Sequence, residues 1–538
     1  MNRSTPKLDG VAFALLEAQL MTGDIKRPAF VEQAARLGVS AVEADAAADK
    51  FIAIAANQAA RRSALRTSYD YIIIGSGAAG SVVARRLAEN PEIQVLLLEA
   101  GASDLKPSVL ITETWFINQG TEFDWSFTAE PSPTVNNRRI QQAMGKALGG
   151  GTSINGMVWA RGHKNDFDHW AKEAGDDAWD YRHVLDIYRR IEDWHGAPDP
   201  LRRGQGGEVF VQAAPDPSPI ATAFLKAVES LGHPVFEDQN GVLQEKHGGA
   251  AYTNVRIRDG RRLNTAASYL YPVMDQPNLT ILTGAHVDRL TLEGQMVTGV
   301  AFEWRGGHNI VRADGEVILS AGAIQTPKIL MLSGIGDRAE LDRFGIPTVA
   351  HLPGVGRNFQ DHPIVGGCLW EAHEALTPRN NCAEANLFAK SRPELDTPDL
   401  HILQIEAPYL SEVTAQYMTD NVWSICPGLV RPQSRGYLRL KSANPRDPVE
   451  INANMLDDER DLAALRKGME ISRDVGASQA MKPFAKREIL PGHRQGEALD
   501  ELIRNGVMSM HHPTCTAKMG QDDLSVVDAK LQVYEIQN

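Results

Sequence analysis

Two histidines near the C-terminus, His511 and His512, stand in the run Met508-Ser509-Met510-His511-His512-Pro513-Thr514-Cys515-Thr516-Ala517-Lys518-Met519-Gly520. An imidazole near its ordinary pKa is well suited to take a proton from a hydroxyl at neutral pH. By residue type alone, a His-His-Pro triplet also suits a turn or a metal contact. A second set of chemistry-bearing residues lies far upstream. Gly75, Gly77 and Gly80 have G-x-G-x-x-G spacing, and Glu99 follows the first glycine at about the twenty-residue separation of a ribose-binding carboxylate. Glycines so spaced permit a tight turn, close approach of backbone to a pyrophosphate, and close packing of helix on strand. An acidic residue at that point disfavours a 2′-phosphate, so FAD or NAD is expected rather than NADP.

These residues need elements to hold them. Residues 71–74 read as a buried strand entering the glycine turn. Residues 78–90 read as a helix with Ala79, Val83 and Leu87 on one face, stopped by Asn90-Pro91. Residues 95–98 form a second buried strand ending at Glu99. A diphosphate would lie at the helix N-terminus, beside Ala78 and Ala79, among unpaired N–H groups. Another glycine-rich stretch, Gly145-Lys146-Ala147-Leu148-Gly149-Gly150-Gly151-Thr152-Ser153-Ile154-Asn155-Gly156, cannot be the interior of a good helix or strand. It suits a backbone laid against a ligand. An ordinary flexible loop fits poorly beside Ile154 and the following Met157-Val158-Trp159. A third candidate is Ser320-Ala321-Gly322-Ala323, where a buried strand over 317–319 ends at another flexible glycine.

Elsewhere, residues 279–282 read as a strand, and 290–292 with 297–304 as a hairpin around Glu293-Gly294. Residues 259–262 form a turn, and a helix begins over 265–270. Residues 351–363 form a loop punctuated by proline and glycine. Beyond Gly366, alternating runs at 400–405, 422–426 and 437–440 predict an antiparallel sheet, with a helix across 457–474.

At 538 residues the chain is too long for a single core. Its 43% hydrophobic and 23% charged content are ordinary for a globular enzyme. A net charge of −13 with interspersed signs leaves no electrostatic footprint for nucleic acid. No apolar run approaches membrane-spanning length. Cys368, Cys382, Cys426 and Cys515 lie far apart without a C-x-x-C pair, so buried free thiols are expected, with no disulfide framework and no metal site. Residues 1–66 read as a helical N-terminal extension. Phe13, Leu16 and Leu20 give one apolar stripe; Phe30, Ala34 and Leu37 give another, after Pro28 at a helix start. Residues 26–30 and the alanine-rich run behind them look like a degraded twin-arginine export leader. The second arginine is absent, however, and Glu43, Asp45 and Asp49 interrupt the apolar region. The expected location is cytoplasmic, or periplasmic should that leader function.

Taken together, the glycine stretches resemble those of the glucose–methanol–choline (GMC) family of flavin-dependent alcohol oxidoreductases, from Tyr69 to the last residue. The nucleotide fingerprint is one signature. Gly145 to Asn155, continuing through Trp159, Gly162 and Asp168, is the second, and Gly322 to Gly336 the third. The branch most resembled holds choline dehydrogenase, hydroxymethylfurfural oxidase and pyridoxine 4-oxidase.

The resemblance implies a mixed α/β chain: a Rossmann-like FAD-binding domain (67–165, 246–365, 506–538) and a discontinuous substrate-binding domain built on an antiparallel sheet (166–245, 366–505). It implies that Gly75, Gly77, Ala78, Ala79, Gly80 and Glu99 hold the ADP half of FAD. Gly149, Gly150, Thr152, Ser153, Asn155, Gly156 and Met157 would line the flavin side, with Val287 at the adenine and Ala321 and Gly322 against the cofactor. Ile154 stands where some relatives carry a histidine joined to flavin, so FAD is expected to be bound non-covalently.

His512 falls at the family's catalytic histidine, His511 would support it or contact substrate, and His362 is expected to be structural. Cys515 replaces the usual glycine. The expected reaction is oxidation of a primary alcohol, with oxygen or a quinone-like molecule as electron acceptor. The family continues beyond the point where this chain stops, into a helix carrying a second catalytic histidine or asparagine. The expectation is therefore a truncated form of an otherwise ordinary member. Alternatives are a flavin-containing lyase of the same fold and an inactive flavoprotein.

Overall fold

The computed structural model describes residues 8–538; the first seven residues of the N-terminal extension lie outside the described residues. Two sheets organise the chain. The first has six strands in the order Leu279–Thr283, Val95–Glu99, Ser68–Ile74, Gly307–Leu319, Met296–Trp304 and Ala285–Glu293. Its first four strands are parallel, which requires apolar side chains on both faces. Ile72, Ile73, Leu96 and Leu97 are accordingly fully buried. The last three strands form an antiparallel meander, in which Gly294 supplies the positive φ of the turn at the expected hairpin. Helix Ala78–Ala88 makes the crossover from the first strand.

The second sheet has eight strands and is antiparallel. Its main path runs Arg487–Leu490, Leu369–Glu371, Val422–Leu429, Leu400–Ile405, Ala385–Ala389 and Gly249–Tyr252, with Pro363–Val365 and Val507–Ser509 attached. Helices Glu459–Ala477 and Pro219–Ser230 cover one face, where Ile402, Ile425, Met469 and Phe224 form part of a common core. The long helix starts later than the sequence predicts because Asp458 caps it, accepting from the Arg460 N–H. Tyr437–Arg439 does not join this sheet. It pairs with Glu450–Asn452 as a separate two-stranded ribbon, because alternation identifies a strand but not its partner. Residues 259–262 are likewise more than a turn: Ile257–Arg258 and Arg261–Arg262 pair across Asp259 and Gly260.

The extension forms three helices, Gly10–Thr22, Arg27–Arg36 and Ala41–Ser63. The third begins with a capping box between Ser40 and Glu43. Ala14, Phe30, Ala48 and Ile54 are buried in a cluster shared with Leu270, Met274 and Ile281 of the main body. The helix also manages an exposed sheet edge. Gln58 donates from Nε2 to the Leu279 carbonyl at 3.0 Å and accepts the Ile281 N–H at 3.0 Å, taking the place of a neighbouring strand. A further bond to the Met274 carbonyl, at 2.8 Å, completes its contacts.

Gln58→Ala removes these bonds and leaves the edge-strand groups dry. It should lower unfolding free energy by about 1–3 kcal/mol, seen as an earlier urea midpoint with an unchanged slope.

Candidate active site

The three glycine stretches converge on one cavity of about 480 Å³ at the C-terminal ends of the parallel strands. Their glycines do two kinds of work. Some let backbone meet backbone. A Cβ on Gly75, which has φ +95°, would lie 2.5 Å from the Ser320 carbonyl oxygen, and one on Gly80 would strike the Gly75 carbonyl. Gly150, with φ +55°, would place a Cβ 2.6 Å from the Gly77 Cα. The first two stretches therefore touch directly. Other glycines leave room: Gly151 and Gly322 have no atom within 4 Å of their would-be Cβ and both line the cavity.

Helix Ala78–Ala88 points its N-terminus at this space. Gly77 offers no side-chain cap, and Ala78 and Ala79 are exposed. Uncapped N–H groups in an apolar hollow suit an anionic diphosphate. Glu99 is buried at the rim. Its carboxylate accepts from the Ser76 N–H at 3.0 Å, the Ser76 hydroxyl at 2.6 Å and the Gly101 N–H at 2.7 Å. Burial raises its pKa against the pull of these bonds.

Of the residues expected to hold the cofactor, Gly75, Gly77, Ala78, Ala79, Glu99, Gly150, Val287, Ala321 and Gly322 line the cavity. Gly80, Gly149, Thr152 and Ser153 stand behind it. The Thr152 hydroxyl donates to the Gly149 carbonyl at 2.6 Å, and the Ser153 hydroxyl to the Leu148 carbonyl at 2.6 Å, fixing the loop. Asn155 is exposed; its Oδ1 accepts from the Met157 N–H at 3.0 Å, and Gly156 lies beside Trp115. Met157 itself is buried with φ +60°. Trp125, Met144, His286 and Lys328 also line the cavity, although no local motif marks them.

One support was not legible at all. Arg262 is 2% exposed, and its Nη1 donates to the Asn155 carbonyl at 2.6 Å, to Asn155 Oδ1 at 2.8 Å and to the Thr152 carbonyl at 3.2 Å. Its Nε donates to the Val109 carbonyl at 2.8 Å. These acceptors are all neutral. Burial, with Arg256 nearby, pushes the guanidinium down to about 9. An Arg-Arg pair in a tight hairpin reads as surface charge in a sequence; only the packing turns the second one inward.

The two C-terminal histidines are held by a ladder. Pro363, Ile364 and Val365 pair with Ser509, Met508 and Val507, and the pairing continues through Met510 N–H to the His362 carbonyl at 2.9 Å. Gln360 and Thr514 then exchange backbone bonds in both directions. Buried Asp361 accepts the His512 N–H at 3.0 Å and the Ser509 hydroxyl. Burial raises this carboxyl to about 6. His362, expected to be structural, stands directly against His512. Its Nδ1 lies 3.1 Å from His512 Nδ1, with the rings edge to face at 5.1 Å, so it is the immediate partner of the candidate base. His512 itself is solvent-accessible, yet the surrounding protein desolvates its ring and lowers its pKa. His362 is pushed down to about 3 by burial and by His512.

His511 turns elsewhere. With φ +62°, it directs Nδ1 to accept the Ala143 N–H at 3.0 Å and Nε2 to within 3.3 Å of the Gln119 amide. Burial lowers it to about 4, so its ring is neutral and committed to holding the loop. Among the described residues, no cluster of three or more His, Cys, Asp or Glu has a metal-binding arrangement. No helix among them is long and apolar enough to cross a membrane. The four cysteines are free thiols, Cys515 only partly buried.

A methyl at Gly150 meets both a disfavoured φ and the Gly77 Cα. Gly150→Ala should weaken cofactor retention about tenfold or more, read as flavin absorbance per protein after gel filtration, with far-UV circular dichroism preserved.

Residues 69–364 and 432–538 match the two domains described as GMC oxidoreductase. The chain is 34% identical over 512 residues to mitochondrial choline dehydrogenase of Mus musculus, covering 88% of this chain and 84% of that one. It is 35% identical over 498 residues to oxygen-dependent choline dehydrogenase of Brucella anthropi, covering 87% and 89%. Among solved structures, pyridoxine 4-oxidase from Mesorbium loti superposes with a TM-score of 0.83 at 32% identity, covering 88% of this chain and 93% of the other. A chain with this fold, this uncapped glycine cradle and these relatives belongs to the GMC oxidoreductase family and is an FAD-dependent alcohol oxidoreductase.

Proposed function

We propose that this enzyme oxidises a primary alcohol to an aldehyde, with His512 as the base for the hydroxyl proton. FAD, when bound, supplies the hydride acceptor. The observation that carries the assignment is the His512 ring, accessible and hydrogen-bonded through Nδ1 to a second neutral imidazole.

The chain's own contribution is proton handling and position. Burial lowers the pKa of His512, so its ring is neutral and ready to accept a proton at neutral pH. With Nδ1 shared with His362, its Nε2 is the nitrogen left for a substrate hydroxyl. Asp361 holds the backbone of His512, and the ladder from Gln360 to Val365 fixes the segment that carries it. His511 serves as a positioning residue through Ala143 and Gln119. The exposed Asn155, braced by Arg262, stands on the flavin side.

The cofactor would be held without a covalent bond, since Ile154 stands where some relatives carry the histidine joined to flavin and offers no nucleophile. The acceptor that completes turnover is oxygen or a quinone-like molecule. The names of relatives include an oxygen-dependent choline dehydrogenase and a pyridoxine 4-oxidase, so oxygen uptake is the first assay to run.

Anaerobic mixing with alcohols should bleach the flavin. A flavin that stays oxidised with every alcohol would instead favour a lyase. His512→Ala should slow bleaching by about 10²–10⁴-fold with FAD retained; an unchanged rate would remove His512 from this role. Because the base works only when neutral, kcat/KM should rise with pH through an apparent pKa below 6.5 and stay level above it. That value belongs to the His512–His362 pair, so His362→Gln should move it.

A further inference from the structure

The face of the eight-stranded sheet that carries His362 holds polar atoms with nothing to bind. Register puts Met508, Ile364, Gly428, His401 and Phe388 in one row across it, with His362 two residues before Ile364. Gly428 leaves a gap in this row that Met510 fills, its Sδ standing 2.7 Å from where a Cβ would be. The row thus runs from the segment bearing His512 to His401. The His401 ring stacks flat on Phe388, centroids 4.4 Å apart at 3°, and its buried Nε2 has no partner. Asn386 is fully buried, and neither its Oδ1 nor its Nδ2 has a partner. It pairs with Leu403, which makes it a diagonal neighbour of His401 on the same face, at about 7–8 Å. Gln404 is also unpartnered but takes the opposite face, with Ile402.

Buried polar atoms without partners are unfavourable and call for an explanation. Leu403, Tyr409 and Met510 pack in one cluster with Ile364 on this side of the sheet, and they and Phe388 are only partly buried. The two unpartnered side chains are uncharged. Burial and His512 push His401 down to about 3, so its ring is neutral. Two carboxylates flanking these strands, Glu384 and Glu406, are bound by neutral donors. Glu384 accepts the Ser218 N–H at 2.7 Å, and Glu406 accepts the Arg379 N–H at 3.3 Å and the Ser218 hydroxyl.

We propose that Asn386 and His401 form a specificity subsite for the far end of the substrate, taking an uncharged hydrogen-bonding group such as a hydroxyl, a carbonyl or a ring nitrogen. Ile364, Leu403 and Met510 give the intervening wall an apolar surface that suits a ring. Asn386 and His401 themselves bring no counter-charge to a cation, so they favour an uncharged group over a quaternary ammonium. This rests on the assignment of the reacting carbon to His512.

The test uses the FAD-loaded full chain with benzyl alcohol, 4-hydroxybenzyl alcohol and choline. Wild type should prefer 4-hydroxybenzyl alcohol over benzyl alcohol by about tenfold or more in kcat/KM, and choline should be the poorer substrate. Asn386→Leu and His401→Phe should bring that ratio toward one, mainly through KM, whereas His401→Gln keeps part of it. A wild-type ratio near one, a preference for choline, or a ratio unmoved in folded variants overturns the subsite. Should the variants lose FAD, the wild-type ratio decides, together with the Kd of 4-hydroxybenzaldehyde against benzaldehyde from the flavin absorbance shift. No bleaching with any alcohol overturns the alcohol chemistry itself, a result distinct from bleaching without discrimination.

Discussion

Everything about the cofactor site depends on two backbones being allowed to touch. Gly77, at the start of a crossover helix, and Gly150, in a loop further along the chain, approach so closely that one methyl group would part them. The contact joins the strand–turn–helix unit to the loop that ends at Asn155. Hydroxyl bonds from Thr152 and Ser153 and the Arg262 fork then hold that loop from behind. Where the glycine stretches meet, the cradle is made of main chain, small residues and an open helix end, although Glu99, Trp125, His286 and Lys328 also line the cavity. The uncompensated Arg262 charge is a consequence: carbonyls pointed away from the cavity need a donor, and a guanidinium satisfies several at once.

The reacting end is built on a different plan. There the constraint is a short antiparallel ladder, and the chemistry is in side chains projecting from it. Register alone decides that His512 meets His362 and that Asp361 meets the His512 N–H. A slip of one residue would turn each of these to the other face. The positive φ of His511 and Cys515 marks where the chain departs from the ladder. Cys515 occupies a glycine position of the family pattern and adopts a glycine-like conformation, with φ +71°. The departure from the pattern therefore leaves the loop able to take a left-handed turn.

How much of this the sequence could reveal follows from the same difference. Main-chain sites announce themselves, because only glycine permits the contacts. Gly75, Gly150 and Gly322 could be located from their own neighbours, as could Glu99 at the end of a buried strand. Sites made by register do not. His362 sits in a proline-bounded loop whose partner lies 150 residues away, and no local pattern specifies that pairing. Arg262 looked like turn charge because nothing in Asp259-Gly260-Arg261-Arg262 distinguishes an inward arginine from an outward one. Tyr437–Arg439 was misplaced for a related reason: alternation fixes which residues face together, not which strand lies alongside. Asn386 and His401 were hidden inside runs that scan as ordinary buried strands.

The Gln58 clamp also bears on the order in which the chain can assemble. The helix that carries Gln58 is synthesised early, yet the strand it covers is 221 residues further on. The opening strand, Ser68–Ile74, has one neighbour close by in Val95–Glu99 but gains the other only from Gly307–Leu319. On the ribosome, an amphipathic helix and a strand with one open edge must therefore persist while the intervening chain emerges. High contact order of this kind slows folding and lengthens the exposure of sticky surfaces. The alanine-rich, well-capped third helix can form from local bonds alone, and while it waits it exposes less apolar surface than a leucine-rich one would.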